Sequence, residues 1–207
     1  MIKTLLISYT PRVESNTAKL VDTVVSLAGD KADITHLDLV KEPPPLLLGD
    51  NLNALLKRNF MGMSLTEAEN NTVRSADKLL DQLLAADRIV IAFPMYNFSL
   101  PAAIKAWVDA VIQKERTFTI SSEGAYQGLC QGKKSLILMT TGSDFNQESM
   151  KNLNYATPLL QSCMGFMGIA SHVITAYGLN QYMDHSDKIV GSSQQEISAY
   201  LDQNAFW

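Results

Sequence analysis

The chain has 207 residues, with 46% hydrophobic and 18% charged, which suits one domain able to bury a substantial core. Its net charge of -4 and the absence of any long Lys/Arg cluster argue against nucleic acid or an anionic membrane as partner. Two distant cysteines, Cys130 and Cys163, show no zinc spacing and imply reduced thiols in the cytoplasm.

The apolar run in "MIKTLLISYT" is too short for a signal segment or a membrane span, and Lys3 to Ser8 is expected to be a first strand. A helix from Ser15 to Gly29 should follow, with Leu20, Val24, Val25 and Ala28 on one face. Asp33 to Leu39 alternates as a second strand. Residues 42–71 then interrupt the rhythm: three prolines bar regular structure, Leu52 to Arg58 suits a short helix, and "TEAE" at Thr66 to Glu69 is a capping box. So long a connection inside a compact domain is often functional, although a plain surface excursion is the alternative.

A second long helix carries Val73, Ala76, Leu79, Leu80, Leu83 and Leu84 on one stripe. Arg88 to Phe93 is a third strand, stopped by Pro94, and a helix entered through Ser99, Leu100 and Pro101 buries Ile104, Trp107, Val108 and Val111. Lys134 to Thr140 is a fourth strand. Thr157 as cap and Pro158 at the first helical position should open a helix that "GFMGIA" (Gly165 to Ala170) ends. Ser171 to Tyr177 is a fifth strand, and Ile189, Val190, Ile197, Tyr200 and Leu201 mark a last helix.

Continuous apolar strands are covered on both faces, and right-handed crossovers then favour an open, doubly wound α/β sheet. In such sheets ligands bind beyond the carboxyl ends of the strands. After the first strand, Thr10, Ser15, Asn16 and Thr17 supply hydroxyls and an amide at a helix start, whose free N–H groups suit a phosphate. The bland alternative is a helix cap without a ligand. Neither GxGxxG nor GxxxxGK[ST] is present, so one terminal phosphate, as on a flavin mononucleotide, fits better than a dinucleotide or ATP. After the third strand come Pro94, Met95, Tyr96, Asn97 and Phe98: rings to flank a flat ligand and an amide for its polar edge. After the fourth, Thr140, Thr141 and Ser143 add donors and Gly142 allows a close backbone approach. One ligand explains three polar loops at strand ends better than three coincidences do. The isolated His36, His172 and His185 suit structural roles, and Asp144 a solvated turn.

The stretches "YTPRVESNTAKL", "PMYNF", "TTGSDF" and "TPLLQSCMGFMGI", in this order, resemble the flavodoxin-like FMN-dependent NAD(P)H oxidoreductases, closest to the NADH-azoreductase and NADH:quinone oxidoreductase branch. The likeness covers roughly Ile2 to Leu179. It implies a single flavodoxin-like domain over residues 1–207 with an insertion at about 42–71. It implies three αβα layers around a five-stranded parallel sheet in the order 2-1-3-4-5.

The resemblance further implies that Thr10, Ser15, Asn16 and Thr17 bind the FMN phosphate. Pro94 to Phe98 would line the ring, and Thr140, Thr141 and Gly142 would hold its pyrimidine end. Arg58, Phe118 and Phe166 would belong to a substrate pocket. A homodimer with the active site at its interface is implied too; Phe60, Met61 and Met63 of the insertion suit either that interface or a pocket lid. The expected activity is hydride transfer from NAD(P)H through flavin to a quinone or azo compound by a ping-pong scheme, with no metal and no side-chain catalyst. The rivals are an FMN-binding electron carrier or sensor, and an interaction domain that has lost its flavin. Three positions depart from the family: Ser143 where a second glycine is usual, Ile120 where a tyrosine is frequent, and Val13 in the phosphate loop.

Overall fold

The computed structural model describes residues Met1–Trp207. Its main sheet has five parallel strands: β1 (Ile2–Ser8), β2 (Ala32–Asp38), β3 (Arg88–Pro94), β6 (Lys134–Thr140) and β7 (Ala170–Ala176), in the order β2-β1-β3-β6-β7. Renumbered within the sheet, this is the order 2-1-3-4-5. The two strands missing from that series, β4 (Phe118–Ile120) and β5 (Tyr126–Gly128), form a separate antiparallel hairpin that no periodicity announced. At 3 residues each, they are too short to show a period.

The apolar strands are continuous because consecutive side chains enter different cores. Leu5, Ile7, Ile89, Ile91, Phe93, Ile137 and Met139 join a core with α3 (Glu67–Ala85), α4 (Ala102–Val111) and α5 (Ala156–Phe166). Leu6, Val90, Ala92, Leu136 and Leu138 join a second core with α1 (Asn16–Ala28) and α6 (Ser186–Gln203). These are the three expected layers. Edge strand β2 buries only Ala32 and Leu37, five residues apart and hence on opposite faces, so its burial does not follow the alternation read from the sequence. In the 42–71 segment, α2 (Gly49–Asn59) lays Ala54 and Leu55 on Val73 of α3, and the Thr66 capping box forms as read.

Three boundaries differ from the sequence reading. Pro94 does not stop β3; it is the last strand residue, paired with Thr140. Helix α4 starts at Ala102, with Ser99 bound back to Tyr96 instead of entering the helix. Thr157 is not the cap of α5. The Asn154 side chain accepts from the N–H groups of Ala156 (3.1 Å) and Thr157 (3.3 Å), so the helix begins earlier and Pro158 falls inside its first turn. Proline is tolerated there because first-turn N–H groups have no intrahelical partner.

Candidate functional site

The strand order reverses direction between β1 and β3, and the loops beyond that crevice enclose a cavity of about 560 Å³. Its wall includes Ser15, Asn16, Thr17, Pro94, Met95, Tyr96, Asn97, Phe98, Thr140, Thr141 and Gly142. Three sequence-distant loops thus meet in one space. Thr10 is not in the wall, although its neighbours Pro11 and Arg12 are.

The α1 end is built for an anion. Ser15 caps the helix, its Oγ accepting from Ala18 N–H at 3.3 Å. The N–H groups of Asn16 and Thr17 precede any possible intrahelical acceptor and stay available. Thr17 is buried, and its hydroxyl lies 2.7 Å from that of Thr140, tying the first loop to the end of β6. Arg12 is the only Lys or Arg in the wall, so positive charge enters at this end alone.

The β3 end is a strained presenter of backbone. Tyr96 N–H donates to Ser99 O at 3.2 Å and Ser99 N–H to Tyr96 O at 3.0 Å, closing a two-residue turn. Its central residues, Asn97 (φ 44) and Phe98 (φ 70), are both left-handed, as a type I′ turn requires. Asparagine tolerates that region; phenylalanine does so at a cost of about 1–3 kcal/mol. The strain is held by Tyr155 N–H on Phe98 O (2.9 Å) and by an edge contact of the Phe98 and Phe145 rings, 6.0 Å between centroids. Neither turn hydrogen bond uses the N–H groups of Asn97 or Phe98, which remain for a ligand. Tyr9 meets Tyr96 edge-on at 6.1 Å. Burial, with Tyr9 beside it, pushes the Tyr96 phenol up against the opposite pull of Arg12, so it stays a protonated donor.

The sequence reading passed over Pro11, Arg12, Glu14, Phe145, Leu179 and Asn180, all in the wall. Leu179 and Asn180 follow β7; applying the strand-end rule to the fifth strand would have found them. Ser143, read both as a loop donor and as a departure from the family, lines the cavity as well, and its backbone is not left-handed, so a side chain fits without strain.

The three substrate-pocket candidates lie outside this wall. Phe118 and Phe166 pack together at 4.8 Å, and Tyr126 joins them at 6.1 and 5.5 Å. Tyr126 stands directly opposite Ile120 in the hairpin, on the same face, so an aromatic ring occupies this patch from the other strand. Gly128 is required here: a Cβ would sit 2.3 Å from Gly168 N, so only glycine lets the hairpin seat against the end of α5. Arg58 forks onto Asp77 with two bonds of 2.8 Å and reaches Gln113 Oε1 at 2.9 Å; it fastens α2 to α3 and is not in the wall of the strand-end cavity.

Among titratable groups, no cluster could hold a metal. The cavity's donor set is hydroxyls, amides, backbone N–H groups and one guanidinium, with aromatic rings beside them. That chemistry fits a phosphate at one end and a flat heteroaromatic ring at the other, in a volume typical of cofactor sites.

Comparison with known proteins gives the same reading. A family model for the flavodoxin-like fold matches residues 2–201. The chain is 32% identical over 191 residues to FMN-dependent NADH:quinone oxidoreductase 2 of Bacillus cereus, covering 90% of this chain and 91% of that one. It is 35% identical over 185 residues to FMN-dependent NADH:quinone oxidoreductase of Azospirillum brasilense, covering 88% and 87%. Among solved structures, an azoreductase from Bacillus anthracis superposes with a TM-score of 0.88 at 29% identity, over 96% of this chain and 98% of the other.

Proposed function

The chain belongs to the flavodoxin-like family of FMN-dependent NADH:quinone oxidoreductases and azoreductases, and from that membership we propose that it reduces quinones or azo compounds with NADH by a ping-pong scheme at the strand-end cavity. The observation that carries the proposal is the meeting of the three loops in one cavity whose donors suit a phosphate at one end and a flat ring at the other.

FMN, when bound, would supply the redox chemistry between NADH and the acceptor. The chain supplies position and polarity. Ser15, Asn16 and Thr17 hold the phosphate on the start of α1, with Arg12 as counter-charge and Thr10 just outside the wall. Pro94 to Phe98 carry the ring, the strained turn presenting its N–H groups, and Tyr96 and Phe98 limit where a second flat molecule can stack. Thr140, Thr141 and Gly142 hold the pyrimidine end. A nicotinamide and an acceptor sharing one binding place in turn would give the ping-pong scheme.

Phe118 and Phe166 lie outside the wall of their own chain's cavity, so on this reading they meet the acceptor from a second copy. We therefore read the active form as a homodimer in which the patch of Phe118, Tyr126 and Phe166 walls the partner's cavity. Supporting this, Tyr126 is 64% and Phe166 36% exposed, and Phe60, Met61 and Met63 of the insertion are exposed as well. Arg58 is left to its pairing with Asp77. One domain over residues 1–207, with residues 42–71 as its insertion, is the organisation this reading uses. No helix is long and apolar enough to cross a membrane, and two free thiols, Cys130 and Cys163, suit a cytoplasmic location.

The test is to add NADH anaerobically to the FMN-loaded protein and follow its visible spectrum. Full bleaching within seconds, reversed by a quinone, is the expected result. A flavin that NADH leaves oxidised would make the protein a carrier or sensor instead. Size exclusion with light scattering tests the dimer, and a monomer at micromolar protein would overturn it.

A further inference from the structure

Resting on the FMN reading of the cavity, we infer that the Ser143 hydroxyl and the Asn180 carboxamide form a side-chain clamp on the polar edge of the bound flavin, one that favours its reduced form.

The clamp is built by two loops locked together through their backbones. Thr141 Oγ1 donates to Ser143 O at 2.6 Å, and Gly178 N–H donates to the same oxygen at 3.2 Å. Leu179 N–H donates to Thr141 O, and the N–H groups of Asn180 and Gln181 both donate to Gly142 O, each at 2.9 Å. Asp144 N–H donates to Gln181 Oε1 at 2.8 Å. Every one of these bonds uses main-chain atoms or a neighbour's side chain. They fix Cα of Ser143 and of Asn180 while leaving the hydroxyl and the carboxamide unengaged, and both residues line the cavity.

Gly142 sets their spacing. A Cβ there would lie 2.8 Å from Asn180 Nδ2, so the carboxamide packs directly on the glycine. Asn180 therefore stands beside the backbone that holds the pyrimidine end, and Ser143 is the next residue along it. Reduction of a flavin places negative charge on the N1–C2=O side of that ring. Donors fixed beforehand at the place where charge develops stabilise the reduced form more than the oxidised one. Glu14, the one carboxylate in the wall, belongs to the α1 loop, and the neighbouring Asp144 is outside the wall, its carboxylate accepting from Asn146 N–H at 2.9 Å and from Tyr182 OH at 3.3 Å.

The experiment uses the FMN-loaded protein with Ser143→Ala, Asn180→Ala and Ser143→Thr. Spectroelectrochemical titration gives the flavin midpoint potential, and fluorescence quenching on apoprotein gives the affinity for oxidised FMN. For Ser143→Ala and Asn180→Ala, the ratio of reduced to oxidised FMN affinity should fall about tenfold, a two-electron midpoint lower by about 30 mV. Ser143→Thr, which keeps the hydroxyl, should stay at the parent potential. Melting temperatures of all three should match the parent, because neither side chain bonds within the protein. Midpoints that do not move in variants that bind FMN would overturn the clamp while leaving the cavity reading intact. A parent protein that takes up no FMN would overturn both, and the quenching titration separates the two failures.

Discussion

The strand-end cavity and the helical pair α2–α3 are both polar, but their polar groups are used in opposite ways. In the helical pair, ions answer one another: Lys57 lies 2.7 Å from Glu69, Arg58 forks onto Asp77, and Gln113 closes the network. In the cavity, Arg12, Asn16, Ser143 and Asn180 have side chains without protein partners, and the turn at Asn97 and Phe98 is held in a backbone conformation that costs energy. Satisfied charges serve folding, whereas unsatisfied donors around a concave space serve a ligand. The difference separates Arg58 from Arg12, which composition alone treats alike.

Substitutions can break the comparison from either side. The largest effect belongs to Thr17→Val, which removes a donor from the phosphate end and strips buried Thr140 of its partner. FMN affinity should fall on the order of 100-fold, matching loss of a hydrogen bond to a charged group. An unchanged dissociation constant by fluorescence quenching would remove the phosphate from the start of α1.

Arg58→Ala should do the reverse. It leaves Asp77 unpaired and half-buried, and urea unfolding should show a loss of about 1–2 kcal/mol, between surface and buried ion pairs. FMN affinity should stay within about twofold. Weaker acceptor turnover with unchanged stability would restore Arg58 to the substrate pocket.

Phe98→Gly sharpens the claim about strain. Glycine releases the left-handed cost while the contact with Phe145 is lost, so stability should change by less than about 1 kcal/mol. FMN affinity should still fall about tenfold. A large destabilisation would show that the turn is held for folding and not for the ligand.

The smallest effect lies in the pH response of the Lys57–Glu69 pair. Hydrogen bonds from the Lys57 ammonium and from the Thr66 backbone hold the Glu69 carboxyl down at about 2, against an ordinary 4.5. The unfolded chain binds the proton first as pH falls, so the contribution is complete above about 4.5 and is lost between there and about 2. The melting-temperature gap between the parent and Glu69→Gln should therefore close over that window. A gap that persists at pH 2 would assign the pair's effect to packing.

Much of the architecture was legible because burial writes itself into the strands. Leu5 and Leu6 are consecutive and both apolar, which fits only a strand with a core on each side. The helix stripes and the Thr66 box were equally local, although Val25, placed on the α1 stripe, is exposed and Val21 is buried instead, and the choice of Ser15 over Asn16 as cap needed the structure. The hairpin of Phe118–Ile120 and Tyr126–Gly128 was not legible, since its stability comes from Gly128 seated on Gly168 and from rings on α5. The start of α5 was misplaced because Asn154 reaches forward to cap it, a competition between two good capping side chains that spacing does not decide.

The sequence by itself determined the fold class, the strand ends at which the cavity opens and the residue types in the first, third and fourth loops. Each follows from interactions within a few residues or from the period of burial. Only the tertiary structure decided that those loops share one cavity, that Arg12 and Asn180 belong to it, and that Arg58 does not. Those outcomes depend on which side chains find partners across the fold. A guanidinium 19 residues from Asp77 is neutralised while another beside a helix start is left waiting, and chain order carries no signal that tells them apart.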